Sequence, residues 1–257
     1  MSALRERVFY AVLDLFYPPH CAVCATPFNE GERAFLCADC EGKIERIDQR
    51  HVCRCGCPLP EGLDLCPWCA AESERVFEQI RSFGWYEERE DPNHVLSTLI
   101  KTFKYGGERS LAPLLARYLD EAGRPLRPQI EQITFVPMRP KAERERGFNQ
   151  AELLARELGK LWGIPVVRAL EKIKDTQPQA SLSHHEARRE NIRGAFRLAK
   201  FTPCASILIV DDVYTTGATL TECARLLKES GISQLYGLTV ARVQRPIYYE
   251  DPKHRAQ

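Results

Sequence analysis

"ILIVDDVYTTGATL", Ile207 to Leu220, decides how the chain is read. Four aliphatic residues without a polar break suit a strand covered on both faces, as in a parallel sheet. Asp211 and Asp212 then stand side by side, where like charges repel, and Thr215-Thr216-Gly217-Ala218-Thr219 follows at once. Ligands of open α/β sheets bind beyond the carboxyl ends of the strands. Successive strand side chains point to opposite faces, so the two acids reach different groups around one ligand. The turn offers hydroxyls and free backbone N–H groups at a helix start, an anion cradle. No lysine follows the glycine as in a Walker loop, which argues against a P-loop NTPase. Acids for hydroxyls beside a cradle for a phosphate point to a phosphorylated sugar.

Outward from this stretch, strand and helix patterns alternate. "IRSFGWYEE" (80–88), "EQITFVPM" (131–138), "IPVVRAL" (164–170), "ASILIVDD" (205–212) and "ISQLYGLTVAR" (232–242) read as strands. Helical patterns cover residues 93–107, with Asn93 as N-cap and Gly106-Gly107 as stop, then 110–123, 151–163 and 217–231. The segment "RPKAERERGFNQ" (139–150) reads as a basic loop. This alternation predicts an α/β domain built on a mainly parallel sheet flanked by helices.

The first 72 residues are of another kind. Nine of the eleven cysteines fall between Cys21 and Cys69. Residues 4–16 have helical apolar spacing, but Arg5-Glu6-Arg7 and Asp14 interrupt it, so no signal peptide is expected. No stretch has the length a membrane span requires, which predicts a cytoplasmic protein and no membrane insertion. In that setting the cysteines read as metal ligands rather than disulfides. Cys21-x-x-Cys24 and Cys37-x-x-Cys40 supply four thiolates for one structural Zn²⁺. Cys66-x-x-Cys69 is half of a second site, completed by Cys53 with Cys55 or by Cys55 with Cys57, with His51 also near; Cys53 and Cys55 are the preferred pair. Four-thiolate sites leave no place for substrate water, so these zincs hold the fold.

Charge divides the same way. Residues 1–72 carry 7 Lys/Arg and 11 Asp/Glu, a net of −4, and the remainder carries +5, which gives the net +1 of the whole chain. Phosphate or nucleic-acid affinity therefore belongs to the second part. The expected organisation is a helix and double ribbon over 1–72, an α/β domain over 73–245, and a tail over 246–257.

"ILIVDDVYTTGAT" (207–219) is similar to the 5-phosphoribosyl 1-pyrophosphate (PRPP) signature of type I phosphoribosyltransferases: four apolar residues, two acids, two mostly apolar residues, then a threonine-glycine-threonine loop. "VPMRPKAERERGFNQAELLA" (136–155) and "TQPQASLSHHEARRENIRGAF" (176–196) resemble the competence-protein-F (ComF/GntX) family, which joins an N-terminal zinc ribbon to this domain. The likeness covers nearly the whole chain. Two departures stand out. "CRCGC" is tighter than the family's Cys-x-x-Cys, and the span from Leu182 to Arg188 is one residue long, so Arg188 and Arg189 compete for one role.

The resemblance implies a type I phosphoribosyltransferase-like fold and roles for particular residues. Asp211 and Asp212 would hold the ribose hydroxyls, and Thr215, Thr216, Gly217, Ala218 and Thr219 the 5′-phosphate. Arg139, Lys141, Arg144 and Arg146, with Lys104, are typed to meet pyrophosphate. Asn149 and Gln150 bond ligand or merely cap a helix. Gln179, Arg188 and Asn191 lie in a segment placed like the loop that closes over PRPP; His184 and His185 find no support as an acid–base pair. Mg²⁺ would accompany the pyrophosphate. The residues suit two uses: a phosphoribosyltransferase-type enzyme of undefined acceptor, or a non-catalytic sensor of PRPP or binder of single-stranded DNA, working with other DNA-uptake proteins. Aromatic residues that could stack bases look sparse near the basic segments.

Overall fold

The computed structural model describes residues 20–28, 35–71, 75–87, 91, 93–174 and 191–244. The expected N-terminal helix, the tail, and the segment holding Gln179, His184, His185, Arg188 and Arg189 lie outside the described residues.

Two short helices, α1 (Ala38–Gly42) and α2 (Pro67–Ala71), each carry the last cysteine of one ribbon, Cys40 and Cys69, and start directly after its partner, Cys37 and Cys66. The rest is β1 (Gln79–Tyr86), α3 (Val95–Tyr105), α4 (Ala112–Gly123), β2 (Gln132–Phe135), α5 (Pro140–Arg146), α6 (Gln150–Trp162), β3 (Leu170–Lys172), β4 (Phe196–Leu198), β5 (Ser206–Tyr214), α7 (Ala218–Glu229) and β6 (Gln234–Val243). Four strands form one sheet in the order β1-β6-β5-β2, all neighbours parallel. Ile207 to Val210 of β5 are 0% exposed, which fits a central strand covered on both faces. Helices α4 and α6 pack on each other and on the sheet. Gly123 permits this: a Cβ there would lie 2.6 Å from Leu238 Cδ2 and 3.1 Å from the Trp162 ring. The mainly parallel sheet flanked by helices, behind a cysteine-rich module, is the architecture expected.

Both sheet edges are covered. Beside β1, Arg46 bridges Gly84 antiparallel, and Ile47 N donates to Phe83 O at 2.9 Å. The chain between the two ribbons thus shields an edge that would otherwise offer unpaired backbone groups. Gly84 is required there, since a Cβ would fall 2.8 Å from Glu45 O. Beside β2, Ile133 N donates to Pro165 O at 2.9 Å and Val167 N to Ile133 O at 2.8 Å.

Three local expectations need correction. Residues 164–170 do not form a full strand: only Val166 bridges Ile133, because Pro165 lacks a donor and the chain leaves to pair Leu170–Lys172 antiparallel with Phe196–Leu198. Asn93 is not the cap of α3. Its N–H donates to Asp91 Oδ1 at 2.8 Å in the preceding turn, and His94 Nδ1 accepts from Ser97 N at 3.3 Å instead. The basic loop is partly helical. Pro140 opens α5 with its φ pre-set, and Gly147 ends it at φ +86°.

Candidate functional site

At the carboxyl end of β5 the chain opens a cavity of about 470 Å³. β5 ends beside β6 on one side and the loop after β2 on the other, so residues distant in sequence converge there. From β5 and its loop come Asp211, Asp212, Thr215, Gly217 and Thr219; from after β2 come Arg139 and Arg146; from the last turn of α3 comes Lys104. Thr216 and Ala218 turn inward, where Thr216 Oγ1 accepts from Ala218 N at 3.3 Å and closes the loop. Asn191 adjoins Ile192, which lines the cavity.

Lys104 Nζ lies 2.7 Å from Asp212 Oδ1, with the two side chains 17% and 13% exposed. Burial disfavours the Lys104 charge, yet Asp212 and then Asp211 outweigh it and raise the ammonium above its ordinary value. Among the described residues no cation is in direct contact with Asp211. Its Oδ1 accepts from Asp212 N at 2.9 Å. Burial, then the charge of Asp212, push it up to about 7, and Lys104 and Lys172 only partly offset this. One carboxylate is thus neutralised by lysine and the other is left short of positive charge.

Helical periodicity sorts the basic residues. Arg139, Ala142 and Arg146 line the cavity at spacings of three and four, whereas Lys141 and Arg144 do not. Lys141 is exposed and its nearest acid is Glu145 at 4.0 Å. Arg146 donates to Gln150 Oε1 at 2.9 Å, and Gln150 Nε2 donates to the Lys104 carbonyl at 3.4 Å, so Gln150 ties the Arg146 guanidinium to the backbone at the end of α3. Asn149 is the N-cap of α6, accepting from Glu152 N at 3.4 Å, and its Nδ2 holds Val136 O at 3.1 Å. Lys172 and three tyrosines, Tyr86, Tyr105 and Tyr214, also line the cavity and were not singled out in the sequence. Tyr105 is 75% exposed, and the Arg146 guanidinium lies 5.3 Å from its ring centre.

The cysteines form two tetrads, Cys21/Cys24/Cys37/Cys40 and Cys53/Cys55/Cys66/Cys69, each with all sulfurs within 4.8 Å of one another. Cys24 and Cys37 sulfurs are 3.6 Å apart, Cys55 and Cys66 3.7 Å. Tetrahedral Zn²⁺ with bonds of about 2.3 Å requires sulfurs about 3.8 Å apart, so both tetrads fit it. The alternatives at the second site resolve toward Cys53 and Cys55. Cys57 is buried outside the tetrad with Sγ 3.6 Å from Pro58 O, and His51 is exposed. Crowded thiols shift one another: Cys53 is driven down, chiefly by a hydrogen bond from Cys55, and Cys69 up, chiefly by Cys53.

Two arginines flank the second tetrad. Arg81 and Arg242 are buried, and the Nε of each has no hydrogen-bond partner among the described residues. Burial lowers Arg81, while the charges of Cys53 and Cys55 act against that; Arg242 likewise acts on Cys55. Four thiolates around Zn²⁺ would carry a net charge of −2, toward which Arg81, Arg242 and Arg54, whose Nη2 donates to Cys69 O at 3.0 Å, bring positive charge.

Cysteine tetrads at one end and a carboxylate–threonine cleft at the carboxyl edge of a parallel sheet define a zinc-ribbon protein with an α/β domain. A family profile described as "Double zinc ribbon domain" matches residues 12–72. Competence protein F of Haemophilus influenzae is 32% identical over 216 residues, which span 80% of this chain and 90% of that protein. The DNA utilization protein YhgH of Escherichia coli K12 is 29% identical over 226 residues, 84% of this chain and 94% of its own. The chain belongs to the competence protein F (ComF) family. Among solved structures, orotate phosphoribosyltransferase from Aeropyrum pernix superposes with a TM-score of 0.33 and 14% identity, over 56% of this chain and 76% of that one. Among the described residues no helix is long and apolar enough to cross a membrane.

Proposed function

We propose that the cleft binds PRPP and that the protein is a phosphoribosyltransferase-type member of the family, acting in the uptake or use of external DNA. The observation that carries this reading is the convergence of Asp211 and Asp212, the 215–219 loop, and Lys104, Arg139 and Arg146 on one cavity. The acids suit the ribose hydroxyls. The loop's N–H groups and the start of α7 suit the 5′-phosphate. The three cations suit the pyrophosphate, Arg139 and Arg146 through forked donors.

The carboxylate pair is a hard-oxygen donor set short of positive charge, which fits Mg²⁺ arriving with the pyrophosphate. When bound, the ion would neutralise leaving-group charge. The chain's own residues would do the rest. Arg139, Arg146 and Lys104 stabilise departing pyrophosphate as C1 of the ribose becomes cation-like. Gln150 keeps Arg146 aimed at it. Gln179, Arg188 and Asn191 are assigned to closing the site, by family resemblance. No residue of the cleft is an evident base for the acceptor, and Asp211 is half-protonated near pH 7 until positive charge arrives.

Isothermal titration with PRPP and Mg²⁺ tests the reading. Wild type should bind, and Asp211→Ala/Asp212→Ala should lose at least about tenfold in affinity. Absence of wild-type binding would sink the assignment. Pyrophosphate release with trial acceptors then separates an enzyme from a sensor. A second reading, binding of single-stranded DNA, is favoured by one observation. Tyr105 lies open at the rim with Arg146 against its ring, an arrangement suited to stacking a base. It requires binding that weakens steeply with salt and that Tyr105→Ala abolishes.

A further inference from the structure

The second tetrad and the loop at 215–219 are connected through two residues, Arg242 and Tyr214. Arg242, near the end of β6, is 2% exposed. It is paired across the sheet with Tyr214, the last residue of β5, and with Trp85 on β1. Its Nη1 donates to the Cys55 carbonyl at 2.8 Å, inside the second ribbon. Its guanidinium centre lies 5.0 Å from the centre of the Tyr214 ring. That ring in turn is the floor of the loop. Gly217 has φ +78°, and a Cβ placed on it would meet Tyr214 Oη at 2.3 Å.

The ribbon side of the connection is equally tight. Gly56 has φ +77°, and a Cβ there would fall 2.8 Å from Ile80 O and 3.0 Å from Arg242 Nη1. Ile80 N donates to Arg54 O at 2.6 Å, and Arg54 Nη2 to Cys69 O at 3.0 Å. The ribbon therefore grips β1 and β6 through backbone atoms of its own metal loops. Packed interiors pass a displacement on rather than absorb it.

We propose that Arg242 is a positioning residue, which couples the second cysteine tetrad to the loop at residues 215–219 by holding Tyr214 beneath Gly217. The coupling rests on the reading of that loop as the phosphate cradle. It assigns the ribbon a part in ligand binding besides its part in folding: the loop is in register only while Cys55 and its neighbours hold the guanidinium. Anion-binding N–H groups must be held to within about 0.5 Å to be effective, and Tyr214 with Arg242 supplies that constraint from below.

The test uses the full-length, zinc-loaded protein and two readouts. The first is amide hydrogen exchange. Arg242→Ala should speed exchange across residues 214–221 at least tenfold while β2 and the zinc content stay as in wild type. The second is ligand-specific: affinity for ribose 5-phosphate should fall at least tenfold and affinity for inorganic pyrophosphate less than twofold. Tyr214→Leu, which leaves the Arg242–Cys55 bond in place, should give the same pattern, and it decides the matter if Arg242→Ala does not fold. Unchanged exchange at 214–221, or equal loosening of both ligands, overturns the coupling. If wild type binds neither ligand, the PRPP reading fails, and hydrogen exchange alone still decides the coupling.

Discussion

The second tetrad and the Asp211–Asp212 pair are both clusters of negative groups built into the protein interior, and they are settled in opposite ways. Around the tetrad negative groups meet positive charge at close range: four sulfurs are spaced for one Zn²⁺, and Cys53 and Cys55 act on the buried Arg81 and Arg242. At the cleft, among the described residues, Lys104 pairs directly with Asp212 alone and Lys172 only partly offsets the rest, so Asp211 is left holding a proton up to about pH 7. A closed charge balance makes a cornerstone; an open one makes a binding site. The first tetrad is intermediate, with Cys24 exposed and Cys37 half-buried.

The largest effect should come from opening the closed cluster. Cys66→Ser breaks the tetrad whose Cys53 and Cys55 act on Arg81 and Arg242, so the charge balance around both buried guanidiniums is disturbed. One zinc should be lost, and thermal unfolding of the whole sheet should fall by about 10 °C or more. Cys24→Ser should lose the other zinc and spare the sheet's transition, because its thiol lies at the surface. Zinc analysis with calorimetry checks both variants. Equal shifts would erase the distinction between the tetrads.

Next is the loop. Gly217→Ala forces a side chain into left-handed backbone and against the Tyr214 phenol. We expect a loss of roughly 2–3 kcal/mol in urea unfolding, with the zinc content unchanged. A neutral result would mean that the loop rests on something other than Tyr214.

Legibility followed how local each feature is. The β5 strand, both acids and the loop lie in fourteen consecutive residues, so period and composition sufficed. The cysteine pairs are equally local, and only the choice among Cys53, Cys55 and Cys57 depends on how the chain folds between them. Lys172 and Tyr105 reach the cleft from elements far from β5 in sequence; nothing near Lys172 marks it, and Tyr105 follows Lys104 without any pattern of its own. Helix α5 has the sequence of a loop because a run of charged residues has no apolar stripe to show its period. Its consequence for the site is large, since it splits Arg146 from Lys141 and Arg144. The Arg242–Tyr214 contact depends on strand register, which no single segment encodes.

A smaller effect tests the open cluster. Between about pH 4 and 7 the folded protein holds a proton on Asp211 that the unfolded chain has released, so stability from this group falls as pH rises through that window. The cost is fully present above pH 7. Asp211→Asn should therefore be more stable than wild type at pH 8, by on the order of 2 kcal/mol after allowing for partial exposure. The gap should shrink as pH is lowered to 5.5. Urea midpoints at the two pH values measure it, and a gap that widens on acidification would reverse the assignment.

The smallest effect falls on the outer face of α5. Lys141 and Glu145 are 78% and 66% exposed at 4.0 Å, an arrangement worth less than about 0.5 kcal/mol. Lys141→Ala should thus leave both stability and PRPP affinity within about twofold of wild type, whereas Arg146→Ala should weaken PRPP at least tenfold, having lost a forked donor that Gln150 aims into the cavity. The two positions lie five residues apart and differ in sequence only by the type of cation. Direct titration of the two variants asks whether helical facing, rather than local charge, selects the residues that serve the open cluster. Similar losses in both would mean that the basic segment acts as a diffuse field, and the contrast between a balanced ribbon and an unbalanced cleft would no longer rest on individual side chains.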